Sequence, residues 1–221
     1  GCVMAYTQSD EISLVLIDYQ TLTSDAWFDN NVEKMCSIAA SMATLAFNTA
    51  WRKNVDKWAA ERIPEWYDGG TNNPDGVDQN YLKQAEIYTS RFDRALFDAR
   101  AFNVPKEEVM NCLIWRQQDA TRNSIQSVGQ ANFSHKQLMG KSCNEIQDML
   151  FTEKGINWND YPTSCKRGTC CIKKPLTFDA KDSRGKVVGI CSRNKWVIDT
   201  EIPIFNREPN YINSRVFVGD V

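Results

Sequence analysis

The sequence predicts an α+β fold in which an antiparallel sheet packs with helices, and three features lead to this prediction. Two short runs of β-branched, aromatic and aliphatic residues near the start flank a polar turn. A longer stretch after them repeats its apolar residues at helical spacing. After several short helical segments, the end of the chain again consists of β-like runs.

The first two runs predict a β-hairpin, and a third predicted strand belongs beside it. Residues 3–7 and 12–17 are the hairpin strands, and Asp10 lies at the tip between them. Residues 95–104 have a similar strand-like character. We expect this third strand to pair near the hairpin.

A long helix and an exposed loop are predicted between the hairpin and the third strand. Ser24 or Asn30 is a suitable N-cap for a helix that reaches about Trp51. Residues 64–80 are rich in Gly, Pro, Asn and Asp, which is typical of a loop.

The second half of the chain predicts short helices followed by strands. Ser142 and Glu145 have the spacing of a capping box, which predicts the start of a helix between them. The predicted helices cover about 105–128, 134–139 and 142–154, and the predicted strands cover 169–173, 186–190 and 195–200.

Charge is divided unevenly along the 221 residues, although the net charge is only −2. Residues 116–195 contain 14 Lys or Arg and 7 Asp or Glu, whereas the remainder contains 12 and 21. One interpretation is an acidic part that binds a metal and a basic part that binds a polyanion. The alternative is a solvated basic face without a partner.

Several classes of protein are disfavoured by composition. No run of 18 apolar residues and no leader pattern is present, so neither a membrane span nor secretion is expected. The eight cysteines lack CxxC spacing and predict reduced, mostly buried thiols in a cytoplasmic protein rather than a zinc site. A single histidine disfavours Ser-His or Cys-His hydrolase chemistry. The chain opens directly on a strand-like run without Met, so a preceding segment is expected.

The Ser9-Asp10-Glu11 turn has two interpretations. Carboxylates at the end of two strands can bind a hard cation whose shell substrate phosphates complete, as two-metal phosphoryl transfer requires. An acidic hairpin tip is also ordinary polar turn chemistry. The turn alone does not separate the two.

Besides the Ser9-Asp10-Glu11 turn, four short segments follow in order: Leu96 to Phe102, Trp115 to Asp119, Gly155 to Asn159 and Lys166 to Thr169. Together the five segments resemble the histidine-tRNA guanylyltransferase-like family of 3′–5′ polymerases. The first, around Ser9-Asp10-Glu11, resembles the family's second metal motif, in which such a turn joins two palm strands. Leu96 to Phe102 resembles the family's Phe-Asp-Ala-Arg strand, and Trp115 to Asp119 resembles its helix motif. Gly155 to Asn159 and Lys166 to Thr169 resemble its C-terminal basic motif.

The resemblance implies a fold, a reaction and a site. It implies a polymerase- or cyclase-like palm, expected over residues 1–130 without its first strand, and a basic helical and β extension over 131–221. It implies that ATP or GTP activates a tRNA 5′ end, which the 3′-hydroxyl of an incoming nucleotide then attacks, assisted by two Mg²⁺ ions. Homo-oligomers, dimers or tetramers, are expected.

Two departures from the family pattern qualify this resemblance. The family's other metal carboxylate lies in an Asp-Gly motif on the first palm strand, and no Asp-Gly pair precedes the hairpin in this sequence, so that motif is expected upstream of the 221 residues. Where many eukaryotic members have His-Ile-Asn-Asn, residues 121–124 match only at Asn123, so the chain is more similar to the bacterial, phage and archaeal branch, which repairs truncated tRNA 5′ ends.

The expected site residues follow from these motifs. We expect Asp10 and Glu11 to act in catalysis and metal binding, Ser9, Asp10, Asn123, Lys166 and Arg167 to bind the nucleotide, and Arg100, Arg116 and Arg122 to bind RNA. Each has a structural alternative. Asp119 pairs with an Arg on a solvated helix face, Lys166 and Arg167 form an exposed basic turn, and Arg100 pairs with Asp98.

The scattered tryptophans Trp27, Trp51, Trp58 and Trp66 are expected to pack in the protein rather than stack on bases, and His135 is expected at the surface or in a helix cap.

Other functions stay open at this point. A nucleotide cyclase on the same palm, or a non-catalytic RNA-binding module, is the alternative to a polymerase. The products, extended RNA or a cyclic nucleotide, distinguish the two enzymes.

Overall fold

A computed structural model describes residues 1–63 and 79–218 of the chain. The predicted loop at 64–80, with Trp66, lies outside the described residues except for Gln79 and Asn80, which start a helix. Contacts divide the chain into two compact units. The first unit comprises Gly1–Trp27 and the chain from Val104 onward, and the second comprises Phe28–Asn103.

The α+β prediction is confirmed by one four-stranded antiparallel sheet and seven α-helices among the described residues. The strands, in the spatial order β2-β1-β3-β4, are β1 (Cys2–Gln8), β2 (Glu11–Leu16), β3 (Thr169–Lys181) and β4 (Val187–Asp199). The helices are α1 (Val32–Arg62), α2 (Gln79–Thr89), α3 (Val109–Asn132), α4 (His135–Leu138), α5 (Cys143–Lys154), α6 (Thr163–Arg167) and α7 (Asn210–Val216). Short 3₁₀ turns occupy Trp27–Asn30, Lys106–Glu108 and Trp158–Asp160.

The predicted hairpin is confirmed, and it forms the centre of the first unit. β1 pairs with β2 from Gln8↔Glu11 back to Cys2↔Leu16. The face of β1 that carries Met4 and Tyr6 is fully buried. It packs into a core with residues from α3, β3, α7 and the segment before α7, namely Leu113, Ile172, Ile202, Phe205, Ile212 and Val216.

The C-terminal strands are longer than predicted. Residues 186–190 and 195–200 were expected to be separate strands, but they belong to one strand, β4, which pairs with β3 along its whole length. β3 also pairs with β1, from Thr7↔Thr169 to Met4↔Ile172. The sheet thus includes strands from both sides of residue 130, and the division into two domains at that residue stays a prediction.

The prediction of a strand at 95–104 is wrong. This segment is extended, but its backbone hydrogen bonds go to side chains of α1 instead of to a neighbouring strand. Asn48 bonds both the N–H and the carbonyl of Ala95 at 3.1 and 2.9 Å, and the N–H of Phe97 donates to Thr44 Oγ1 at 3.0 Å. Because backbone groups need partners but not strand partners, side chains on a helix can replace a sheet neighbour. The second neighbour of β1 is therefore β3.

The long helix of the second unit starts later and ends later than predicted. Asn31 is its N-cap and accepts from the N–H of Lys34, so neither Ser24 nor Asn30 has this role. The helix continues past Trp51 to Arg62. Trp51 and Trp58 pack against Tyr88 of α2, which supports the packing interpretation of both tryptophans.

The capping box that was predicted before α5 is confirmed. The Ser142 hydroxyl accepts from the Glu145 N–H, and the Glu145 carboxylate accepts from the Ser142 N–H at 2.8 Å. Hydrogen bonds from the Ser142 N–H and from Lys141 lower the pKa of Glu145 to about 2. Gly155 ends the helix in the left-handed conformation. α5 buries Ile146 and Leu150 against α3, so it forms a second small core in the first unit.

The cysteines are free thiols, but the expectation that most are buried is wrong. Only Cys170 is buried, Cys165 is exposed and the other six are partly exposed. None of the helices in the described ranges is long and apolar enough to span a bilayer.

Candidate active site

The tip of the β1–β2 hairpin carries the predicted metal- and phosphate-binding residues. Gln8 and Glu11 are the last paired residues of the strands, so Ser9 and Asp10 alone form the turn. Ser9 has a positive φ of 51°, as tight two-residue hairpin turns require. Both turn residues are exposed. Asp10 makes no ion pair with any side chain in the part of the chain that the structure describes.

Glu11, in contrast, is held by two neighbouring side chains. Arg116 Nη1 of α3 donates to the two carboxylate oxygens at 3.0 and 3.2 Å. Gln8 Nε2 donates to Glu11 Oε2 at 2.9 Å. The Arg116 guanidinium also lies 4.9 Å from the centre of the Trp115 ring. The structure thus joins a residue expected to bind RNA to one expected to bind a metal.

Gln8 contributes an unused acceptor beneath the tip. Its side chain is only 6% exposed, and its Oε1 atom has no hydrogen-bond partner among the described residues. A buried acceptor without a partner destabilises the fold by about 1–3 kcal/mol. A donor from a bound molecule would remove this penalty.

The basic motif at Lys166 and Arg167 lies at the same end of the sheet as the tip. Thr169 pairs with Thr7, so the residues before Thr169 run beside the end of β1. Tyr6 donates its buried hydroxyl to the Arg167 carbonyl at 2.6 Å, and burial raises the pKa of this tyrosine. The hairpin tip and the basic motif are therefore neighbours, although more than 150 residues separate them in sequence.

Gly168 permits this close approach. Its φ of 86° and ψ of −165° are unfavourable for any residue with a side chain. A Cβ atom at this position would lie 2.4 Å from the Thr7 carbonyl oxygen and 2.9 Å from Tyr6 Cε2. The glycine thus sets how near the basic motif comes to β1.

The side chains of the basic motif have partial protein partners. Lys166 Nζ donates to the Asn159 carbonyl at 2.5 Å and lies 5.7 Å from the centre of the Trp158 ring. Arg167 Nε donates to the Ile202 carbonyl at 3.2 Å. A guanidinium has five N–H donors, so Arg167 keeps donors for a further acceptor.

A second polar cluster lies further along α3. Asp119 accepts from Arg122 at 2.9 Å and from Asn123 at 3.1 Å. Asn123 follows Arg116 by seven positions, which is about 10 Å along a helix. Arg122 and Asn123 are therefore neighbours of the tip–Arg116 cluster on one helix and not part of it. Their contacts also match the structural alternative, an ion-paired helix face.

Arg100 lies in the second unit, and its described partner is local. Its guanidinium lies 3.8 Å from Asp98, and both side chains are almost fully exposed. Such exposed pairs contribute little stability.

Gln117 is a residue whose role the sequence interpretation missed. It is buried on α3, where Oε1 accepts from the Phe205 N–H and Nε2 donates to the Pro203 carbonyl, both at 2.9 Å. These bonds attach the segment before α7 to the helix beside the tip. The helical spacing from Leu113 to Gln117 and on to Ala120 places this glutamine on the apolar face, a signal that was available in the sequence.

Two surface concavities lie elsewhere. One of about 520 Å³ is lined by residues that include Arg207, Tyr211 and Arg215, and one of about 500 Å³ lies in the second unit between α1 and Phe97. Neither contains a residue of the hairpin tip. The candidate site is therefore identified by the chemistry of its residues and not by either of these concavities.

Comparison with known proteins supports one family. A family profile described as tRNAHis guanylyltransferase matches residues 1–105. A bacterial tRNA(His) guanylyltransferase-like protein solved with ATP is 37% identical with a TM-score of 0.68, and the match covers 99% of this chain and 73% of that one. A second bacterial structure, solved with GTP, gives 30% identity, a TM-score of 0.61 and coverage of 99% and 71%.

Curated relatives extend the match to eukaryotes. The tRNA(His) guanylyltransferase of Saccharomyces cerevisiae is 25% identical over 183 residues, which are 78% of this chain and 63% of the yeast protein. The chain spans between 57% and 63% of the length of the curated relatives that it matches. The two bacterial structures match almost every residue of the chain, and the TM-scores show that they share its fold. The chain belongs to the tRNA(His) guanylyltransferase-like family.

Proposed function

We propose that this protein is a tRNA 5′-end nucleotidyltransferase that adds nucleotides in the 3′–5′ direction, in template-dependent tRNA repair or in guanylylation of histidine tRNA. One observation supports this most. The Ser9–Asp10 tip and the Lys166–Arg167 motif lie together at one end of the sheet, joined through Tyr6 and the register of β1 with β3. Such a site offers a carboxylate for a metal and two cations for a triphosphate.

The tip is compatible with a magnesium site. Asp10 and Glu11 supply the carboxylate oxygens that Mg²⁺ prefers, and this ion commonly takes its other ligands from water and substrate phosphates. Among the described residues no group of three or more His, Cys, Asp or Glu side chains would enclose a metal. Two bound Mg²⁺ ions would neutralise charge where the 3′-hydroxyl attacks the activated 5′ phosphate.

Asp10 is the primary ligand in this proposal, and Glu11 joins it only after a change of partner. A guanidinium 3.0 Å from Glu11 Oε2 would repel a divalent cation at that carboxylate. Arg116 would therefore move from Glu11 to a phosphate of the nucleotide or RNA when metal binds. Gln8 stays on Glu11 and keeps its carboxylate oriented.

The remaining residues have roles in binding. The Ser9 hydroxyl or N–H contacts the triphosphate, and Lys166 and Arg167 balance its charge. Asn123 binds the nucleotide, and Arg116, Arg122 and Arg100 bind RNA. ATP and GTP are the proposed nucleotides, because the two bacterial relatives were solved with them. Assembly into dimers or tetramers and a cytoplasmic location stay predictions.

Incorporation of labelled nucleotide into a 5′-truncated tRNA tests the proposal. The resemblance places the other metal carboxylate on a strand that these 221 residues lack, so we expect robust addition from a protein that includes such a strand and little from the 221 residues alone. Asp10→Ala should lower the rate by about 100-fold or more, the scale of losing one preorganised electrostatic group. Asp148→Ala, an exposed aspartate on α5, is the matched control and should leave the rate unchanged.

Two outcomes would contradict the proposal. Undiminished addition by Asp10→Ala would remove Asp10 from the metal site. Formation of a cyclic nucleotide instead of extended RNA would assign the palm to a cyclase.

A further inference from the structure

The concavity of about 520 Å³ beside α7 contains polar groups that the candidate active site does not use. Four of its lining side chains carry N–H or O–H donors, and they are Arg207, Asn210, Ser214 and Arg215. None of its lining residues belongs to the hairpin tip or to the basic motif at Lys166 and Arg167. This surface, here called the α7 concavity, therefore has its own set of donors.

Arg215 is held in position by neutral groups of Tyr211. Its guanidinium lies 4.7 Å from the centre of the Tyr211 ring, and its Nη1 donates to the Tyr211 carbonyl. Tyr211 is itself fixed, because its ring stacks on the buried Phe205 ring and its hydroxyl donates to Asp199 at 3.1 Å. The Arg215 cation is therefore oriented before a ligand binds, which lowers the entropic cost of binding.

The two arginines of the α7 concavity are not neutralised by a carboxylate. Neither Arg207 nor Arg215 has an ion pair in the ranges that the structure describes. Asp199, the carboxylate that Tyr211 contacts, pairs with Lys174 at 3.1 Å. Arg215 is only partly exposed, and a cation that is withdrawn from water usually has an anionic partner. The charges of the concavity therefore favour an anionic ligand.

Glu208 is the one carboxylate in the lining of the α7 concavity. Its side chain is exposed and forms no ion pair with either arginine. An anion in the concavity would be attracted by Arg207 and Arg215 and repelled by Glu208. Binding should therefore respond in opposite directions when an arginine or the glutamate is removed.

We infer that the α7 concavity binds a phosphate group, either of a free polyphosphate or of an RNA backbone. A guanidinium presents its donors as a fork that matches two oxygens of a phosphate. A phosphate has further oxygens that accept from Ser214 and Asn210, whereas a carboxylate has only two oxygens and would leave these donors unused. The inference does not depend on the proposed function, because the two sites share no residue.

Calorimetric titration of the protein with inorganic pyrophosphate tests the inference. EDTA in the buffer removes the divalent ions on which phosphate binding at the hairpin tip would depend. Arg207→Gln should weaken pyrophosphate binding by about 10-fold or more, because a charge-assisted contact is lost. Glu208→Gln should strengthen it by about 3-fold, because a repulsion is removed. A general loss of folding would not produce opposite shifts in two adjacent positions.

Matched variants separate this site from general charge and from the proposed active site. Arg94→Gln removes an exposed arginine of the second unit and should leave pyrophosphate affinity unchanged within about 2-fold, because distant exposed charges are screened. Lys166→Gln changes the basic motif and should have an equally small effect. Arg215→Lys keeps the charge but loses the fork, so it should weaken binding about 3-fold or more. Thermal unfolding of each variant verifies that the protein remains folded.

A 5′-hydroxyl RNA oligonucleotide distinguishes the two sources of phosphate. Weaker binding of both this RNA and pyrophosphate by Arg207→Gln would support the RNA backbone, and a loss confined to pyrophosphate would support a free polyphosphate. Equal pyrophosphate affinities of Arg207→Gln and Arg94→Gln, or no binding by the wild type, would overturn the inference. Loss of binding in Lys166→Gln instead of Arg207→Gln would also overturn it. Nucleotide addition is measured separately, so the inference and the proposed function can fail independently.

Discussion

Arg116 Nη1 lies 3.0 Å from Glu11 Oε2, and this ion pair joins α3 to the hairpin tip across 105 positions of sequence. The two side chains are 32% and 44% exposed, so water weakens the pair without removing it. Glu11 is consequently occupied in this structure, whereas its neighbour Asp10 is not paired with any described side chain. The two adjacent carboxylates of the turn therefore differ in their readiness to bind a cation.

Removing Arg116 should have opposite effects on metal and RNA. In Arg116→Ala, the Glu11 carboxylate loses its cation, so Mn²⁺, a spectroscopic substitute for Mg²⁺, should bind the tip more tightly. RNA and nucleotide should bind more weakly because a phosphate partner is lost. Stability should fall by no more than about 1 kcal/mol, as for other partly exposed ion pairs. Electron paramagnetic resonance of free Mn²⁺ measures the metal affinity, and thermal unfolding measures the stability.

Arg122→Ala serves as the comparison on the same helix. This side chain is 61% exposed and pairs with Asp119 instead of Glu11. We expect stability within about 0.5 kcal/mol of the wild type, unchanged Mn²⁺ affinity and weaker RNA binding. Equal losses of melting temperature and RNA binding in both variants would support a purely structural role for these arginines.

Two adjacent glutamines on α3 should differ sharply in their effect on stability. Gln117→Ala removes the partners of the Phe205 N–H and the Pro203 carbonyl, and it should cost about 2–4 kcal/mol because buried polar groups lose their hydrogen bonds. Gln118→Ala changes an exposed side chain and should cost less than about 0.5 kcal/mol. Urea unfolding of both variants measures the difference. Similar midpoints would show that the segment before α7 is held by other contacts.

Local signals in the sequence predicted the local structure well. The Ser142 capping box, the hairpin around Asp10 and the helix after Pro105 depend on residues that are near each other in the chain, and the structure contains all three. The segment at 95–104 has strand-like residues, but the side chains of Asn48 and Thr44 bind its backbone. These two side chains lie about 50 positions earlier in the chain, so no local pattern could reveal the contact.

In the candidate site, too, the sequence predicted local features but not the contacts between distant residues. The acidic turn and the basic motif were identified from short segments, and the sheet register then brings them to one end. The pairing of Glu11 with Arg116 was not predicted, because a sequence shows which charges exist but not which will meet.

Thiol reactivity should follow exposure and pKa. Cys165 is exposed beside Lys166, whereas Cys170 is buried and its pKa is raised to about 12 by that burial. Only the thiolate reacts with iodoacetamide, so at pH 8 Cys165 should be alkylated early and Cys170 should be protected. Mass spectrometry of peptides over time measures both rates, and urea-unfolded protein gives the reference in which all cysteines react. Early labelling of Cys170 would mean that β3 separates readily from β1.

Gly168 should be the least replaceable glycine at the site. In Gly168→Ala, the new Cβ atom would meet the Thr7 carbonyl and the Tyr6 ring in a backbone conformation that disfavours side chains. We expect a loss of about 3 kcal/mol or more from strain and overlap together. The Tyr6 hydrogen bond to the Arg167 carbonyl would stretch, so the basic motif would move away from the hairpin tip.

Gly189→Ala on β4 is the control, because nothing lies within 4 Å of its Cβ position, and it should be neutral or stabilising by up to about 1 kcal/mol. Thermal unfolding and nucleotide binding of both variants provide the measurement. If Gly168→Ala retained wild-type stability and nucleotide affinity, the close approach of the basic motif to β1 would not be required for the site.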